Sequence, residues 1–126
     1  MTAGARSAAT GSLDALPSEQ PFEGVTRRAL TTSRLTVASY DFEPGATFPL
    51  HSHTQEQWTL VEQGSIEMTI GGRAAPMGVG EWSLVDPGVE HGITAGEEGA
   101  RVLAIVAPPR ASADEYELVD DPGPDR

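Results

Sequence analysis

The chain contains no cysteine, which excludes disulfides, zinc–thiolate sites and thiol nucleophiles and leaves imidazole, carboxylate or amide groups as the available metal ligands. Lysine is also absent. Its basic residues are all arginine, and 8 of them face 19 acidic residues for a net charge of -11. A charge of that sign repels phosphate backbones and anionic lipid surfaces, so neither nucleic acid nor membrane is an expected partner. No stretch approaches the ~20 apolar residues of a membrane span, and Met1–Gln20, with Arg6 its one basic residue, lacks the apolar core of a signal peptide. The expectation is a soluble, cytoplasmic protein.

What is present suits a small all-β domain. The 126 residues leave room for one core, and 14 Gly with 10 Pro imply many turns. Turn signals recur at Pro44-Gly45, Gln63-Gly64, Gly71-Gly72, Gly78-Val79-Gly80, Pro87-Gly88 and Gly96–Gly99. Between them, Arg34–Phe42, Phe48–His53, Gln57–Glu62, Ser65–Ile70, Trp82–Val85 and Arg101–Ala107 read as strands. Ser65–Ile70 alternates polar and apolar residues and meets Gly71-Gly72, a two-residue hairpin signal. No segment carries a sustained helical apolar stripe. Residues 1–20, rich in small residues, are expected to form a flexible leader, 21–110 the folded domain, and 111–126, with Asp114, Glu115, Glu117, Asp120, Asp121 and Asp125, an acidic solvated tail.

The histidines number only 3, and they occupy two windows: His51-Ser52-His53 on a predicted strand, and His91 after the Pro87-Gly88 turn. On a strand, residues two apart share a face, so His51 and His53 project together and Gln57 follows in the same parity. A sheet that closes into a barrel can bring His91 across the interior to meet them. An isolated His-x-His is more often the polar edge of an ordinary strand. The spacing of the surrounding residues reverses that preference.

In G-x5-H-x-H-x3-E-x6-G, residues Gly45, His51, His53 and Gly64 fall in register, with Gln57 at the acidic position. In G-x5-P-x-G-x2-H-x3-N, Gly80, Gly88 and His91 fall in register, while Asp86 and Ala95 replace the proline and asparagine. Together these resemble the two motifs of the cupin superfamily. The resemblance implies a jelly-roll β-barrel (double-stranded β-helix) that holds one divalent transition metal ion (Fe, Ni, Zn, Mn, Co or Cu) on His51, His53, Gln57 and His91. Glu56, next to Gln57, is the alternative fourth ligand if a one-residue bulge shifts the strand. With Gln57, three imidazoles and an amide leave the ion its full +2 charge, which favours Lewis-acid chemistry and anionic ligands.

A His-His-Gln-His set is similar to that of small cupins that open unsaturated uronates to linear ketones, and so is Ala107-Pro108-Pro109-Arg110. The implied function is a metal-dependent isomerase or lyase acting on a small, polar, anionic metabolite. The alternatives are an iron or nickel dioxygenase, whose fourth ligand is usually Glu, and a non-catalytic metal or small-ligand binder. Tyr40 and Glu90 are the candidate proton-transfer residues, and Arg28, Arg73 and Arg101 the candidates for a substrate carboxylate. Glu90, Asp86 and Glu67 are available to accept the second N–H of a ligating histidine. Trp58 and Leu60, of opposite parity to Gln57, would give the ligand strand an apolar outer face, and hence a homodimer.

Overall fold

The structure is a computed structural model that describes residues 8–110 and 116–118. Among these residues there is no α-helix; a short 3-10 turn, Leu13–Ala15, precedes nine antiparallel strands. They are β1 (Ser18–Phe22), β2 (Val25–Thr31), β3 (Thr36–Phe42), β4 (Thr47–Ser52), β5 (Glu56–Ile70), β6 (Arg73–Gly78), β7 (Trp82–Val85), β8 (His91–Ala107) and β9 (Glu117–Leu118). The all-β cupin jelly-roll expected from the sequence is the observed architecture.

Two long strands organise it. The first half of β5, from Glu56 to Gly64, pairs with the second half of β8 and with β7; its second half, from Ile66 to Ile70, pairs with the start of β8 and with β6. β8 in turn joins β3 through Ala100–Val106 and β4 through His91–Thr94. One curved layer is thus β1-β2-β3-β8-β5-β7 and the other β9-β4-β8-β5-β6, with β5 and β8 passing from one to the other.

The sequence reading expected chain reversals at Gln63-Gly64 and Gly96–Gly99. Instead both lie inside continuous strands, at the corner where β5 and β8 bend together. The register slips between Val61 and Gln63 and again between Gly64 and Ile66. Gly64 (φ 72) and Gly99 (φ 76) adopt left-handed backbone there, and a Cβ on Gly64 would overlap the Gly99 carbonyl oxygen. Glycine is needed at this corner because a bulge combines a positive φ with backbone-to-backbone contact.

Elsewhere local chemistry and fold agree. Gly71 and Gly72, both with positive φ (56 and 83), close the β5–β6 hairpin between Ile70 and Arg73, as a two-residue I′-type turn requires. β1 and β2, which the sequence reading did not identify as strands, pair with each other and dock on β3. Thus β1 starts inside the expected leader, and Glu117–Leu118 of the expected tail adds a short strand to β4. Met1–Ser7 and the remainder of the tail lie outside the described residues.

Alternate residues face the interior. On β5, Gln57, Thr59, Val61, Ile66 and Met68 are buried while Glu56, Glu62 and Glu67 are exposed. The core combines these with Tyr40, Phe42, Phe48, Val85, Ile93, Val102 and Ala104. The polar side chains Arg27, His51, His53, Gln57, His91 and Arg110 are buried in the same interior, so the barrel is lined by chemistry as well as packing.

Candidate metal centre

Three strand features carry the histidines inward. His51 lies in β4 and pairs with His91 at the start of β8, so these two imidazoles sit side by side with ring centroids 4.1 Å apart. His53 follows the end of β4, and its carbonyl accepts the Gly88 N–H at 2.8 Å. That bond ties the first histidine window to the turn preceding His91. One potential ligand atom from each of His51, His53 and His91 lies within 4.8 Å of the others, and all three residues are buried.

The tautomers are set by backbone carbonyls. Nδ1 of His51 donates to the Pro49 carbonyl at 2.8 Å, that of His53 to Gln55 at 3.0 Å, and that of His91 to Val89 at 2.9 Å. With the proton held on Nδ1, each Nε2 is left with a lone pair, as a metal ligand requires. The expected carboxylate partners Glu90, Asp86 and Glu67 are exposed; carbonyls two residues away, in the irregular part of β4 for His51 and in the loops after His53 and before His91, meet Nδ1 instead.

Burial keeps these rings neutral. Loss of hydration lowers the pKa of His51 to about 3, helped by the neighbouring His91, against its hydrogen bond to the Pro49 carbonyl, which raises it. Loss of hydration likewise lowers His91 to about 4 and pushes His53 down, with the Arg110 charge adding to both. At neutral pH the cluster is three free bases facing inward.

Gln57 lies beside the histidines and Glu56 does not. Gln57 is buried, its Oε1 lies 3.0 Å from His53 Nε2, and its Nε2 donates to Thr59 Oγ1 at 2.9 Å. Thr59 thereby orients the amide with its oxygen towards the histidines. Glu56 is exposed, on the opposite face of β5. An acceptor oxygen and an imidazole lone pair about 3.0 Å apart match two donors at about 2.1 Å from a shared ion at a right angle. His91 Nε2, sealed from solvent, has no hydrogen-bond partner. A buried orphan acceptor beside two others leaves room for a cation to satisfy all three, and neutral N and O donors suit a divalent transition metal. The residues present fit one.

The other predicted site residues divide. Tyr40 is buried and lines a small chamber with His51, Gln57, Phe48 and Arg110; its hydroxyl oxygen accepts from Arg27 Nε at 3.2 Å and Arg110 Nη2 at 2.8 Å. Glu90 is exposed, and its carbonyl accepts the Gly71 N–H. Arg28 and Arg101 are not in the chamber but in an outer ion-pair cluster, both on Asp41, with Arg101 also 2.7 Å from Asp14. Arg73 is exposed at the start of β6. The physical reason is parity: along β2, Val25 and Arg27 face inward and Arg28 outward.

Arg27 and Arg110 are the buried guanidinium residues that the sequence reading did not select. Arg27 is ion-paired with Glu19 at 2.6 Å. The inward spacing Val25, Arg27, Ala29 would have marked it had β2 been identified as a strand.

Comparison with known proteins follows the same lines. A family model described as "Cupin domain" matches residues 38–106, more than half of the chain. No curated protein matches it. Among solved structures, KdgF from Halomonas sp. is 24% identical with a TM-score of 0.73, covering 81% of this chain and 97% of that one. An RmlC-like cupin from Shewanella frigidimarina is 23% identical with a TM-score of 0.76, covering 83% and 95%. Bacillus subtilis oxalate decarboxylase, described with Mn(II) centres, is 26% identical with a TM-score of 0.81; the match takes in 94% of this chain but 34% of the decarboxylase.

Proposed function

The chain belongs to the cupin domain family, and from that premise we propose that it is a metal-dependent enzyme acting on a small, anionic metabolite by isomerase- or lyase-type chemistry. The observation that carries this reading is the set of three buried, neutral imidazoles with their Nδ1 protons held by backbone carbonyls and the Gln57 carbonyl beside them. His51, His53, Gln57 and His91 would hold a divalent ion, which when bound would supply Lewis acidity to a substrate oxygen and the C–H beside it.

The chain's own residues supply positioning and protons. Because the Tyr40 oxygen accepts from two guanidinium groups, its own hydrogen is free to be donated into the chamber it shares with His51 and Gln57. Tyr40 is therefore the proton carrier of this reading. The substrate supported by the His-His-Gln-His set is an unsaturated uronate, and likeness to a protein with Mn(II) centres favours manganese among the possible ions.

The enzyme acts as a homodimer. Leu84, Trp58, Ile105, Val37 and Leu30 lie opposite one another in successive strands and form an apolar row across the outer face, with Leu84 50% and Leu30 51% exposed. A second copy would cover it. Sedimentation of wild type and Trp58→Glu distinguishes dimer from monomer.

Metal analysis of purified protein, followed by manganese titration and assays of unsaturated-uronate and oxalate turnover and of oxygen uptake, tests the function. One bound ion with uronate or oxalate consumed, and no oxygen uptake, is the expected result. Protein that takes up no divalent ion on titration refutes it.

A further inference from the structure

Arg110 is 3% exposed, and its backbone is clamped in place: its N–H donates to Thr36 Oγ1 at 2.9 Å and its carbonyl accepts from Thr36 Oγ1 and Arg27 Nη2. The side chain runs into the barrel, where Nη2 donates to the Tyr40 hydroxyl at 2.8 Å. Nε and Nη1 are sealed from solvent and have no hydrogen-bond partner. Among the described residues no carboxylate is paired with it. Its partners among the described residues are the Tyr40 hydroxyl and the Tyr116 ring, 6.0 Å from Cζ; neither is an anion, and a buried guanidinium left so is costly, which a bound anion would relieve.

The position says what that is. Arg110 lines the chamber with His51, Gln57 and Tyr40, and its charge acts on all three histidines. The metal ligands are neutral and Arg27 has its own partner in Glu19, so a loaded site holds the ion's charge plus that of Arg110 with no anion from these residues. The chamber's free volume, about 20 Å³, takes one or two water-sized groups, as the two oxygens of a carboxylate are. The planar fork of a guanidinium matches that group.

We propose that Arg110 anchors a carboxylate of the molecule bound at the metal centre, which makes the substrate class small acids carrying a second oxygen donor within reach of the ion. This rests on the site being a metal centre, as proposed above, and adds the group that selects its ligand. Arg110, rather than Arg28, Arg73 or Arg101, is the specificity-determining arginine.

The test is calorimetric titration of manganese-loaded wild type, Arg110→Gln and Arg110→Lys with malonate, and with malonamide as its uncharged counterpart, at matched metal content. Wild type should bind malonate and not malonamide. Arg110→Gln should weaken malonate by about tenfold to a hundredfold, the range for a lost charge-assisted hydrogen bond. Arg110→Lys, which keeps the charge but not the fork, should weaken it less; should Arg110→Gln fail to fold, this variant decides. Malonate should also raise the melting temperature of wild type and leave that of Arg110→Gln unmoved.

Equal malonate affinity in wild type and variants overturns the proposal. So does equal binding of malonamide, or no binding of malonate, oxalate or D-galacturonate by wild type. Carboxylate binding without turnover of any substrate keeps the anchor and removes the enzymatic reading; turnover confined to substrates without a carboxylate does the reverse.

Discussion

Acidification of the metal-free protein from pH 6.5 to pH 4 should cost it about 5 kcal/mol of stability, through the histidines alone. In the unfolded chain each imidazole titrates near its ordinary 6.5, whereas burial holds His51 at about 3 and His91 at about 4 in the fold. Above pH 6.5 neither state carries the proton and the histidines contribute nothing to pH dependence. Below it the unfolded chain takes up protons that the native barrel refuses, so stability falls with pH until the native values are reached. Each imidazole costs about 1.4 kcal/mol per unit across that window. That is about 3 kcal/mol each by pH 4, and about 5 together once the repulsion between the two rings is counted once.

A domain of this size has about 5–15 kcal/mol to lose, so the metal-free protein should approach its unfolding midpoint near pH 4. Circular dichroism of chelated protein against pH, compared with a His51→Gln/His91→Gln double variant, reads the effect; the carboxylates titrate in both proteins and cancel in the comparison. The double variant should unfold at distinctly lower pH. Coincident acid profiles would show that the buried imidazoles do not resist protonation and would refute the reasoning.

Other perturbations test the remaining elements. Gly64→Ala places a Cβ on the Gly99 carbonyl at a positive φ and should cost about 3 kcal/mol or more, visible as a lower melting temperature; an unchanged melt contradicts the corner geometry. Gln57→Glu adds a carboxylate 3.0 Å from His53 Nε2 and should tighten manganese about tenfold or more while weakening the ion as a Lewis acid, read by metal titration and turnover; equal affinity removes Gln57 from the ligand set. In His91→Ala, metal analysis should find less than about a tenth of the wild-type ion, and added manganese should no longer raise the melting temperature as it does in wild type.

Much of this was legible because it depends on local periodicity. The I′ hairpin at Gly71-Gly72 follows from residue type and strand alternation, and the burial of His51, His53 and Gln57 with Glu56 exposed follows the alternation read along 51–57, although a loop at 53–55 interrupts the strands. What escaped depends on distant partners. Gly64 looks like a turn residue until Gly99 is seen against it, because a bulge inside a long strand and a chain reversal use the same glycine chemistry. Arg28 and Arg101 look like free cations until Asp41 and Asp14 are placed beside them. Carboxylates at the histidine Nδ1 atoms were a reasonable expectation, but the irregular stretch of β4 at Pro49 and the loops after His53 and before His91 present carbonyls first.

The residues by themselves determined the fold class and singled out the three histidines that the fold brings together, since both rest on spacing along one chain: alternation at period two, glycines at turns, and histidines in register with them. Only the tertiary structure decided which side chains share the interior with those histidines. Arg110 lies far along the chain from Tyr40, and which of its donors are satisfied is a property of packing between β3, β5 and the segment after β8. Closing the barrel removes the guanidinium from water without supplying an anion from the described residues, and that charge is where the proposed ligand selection enters.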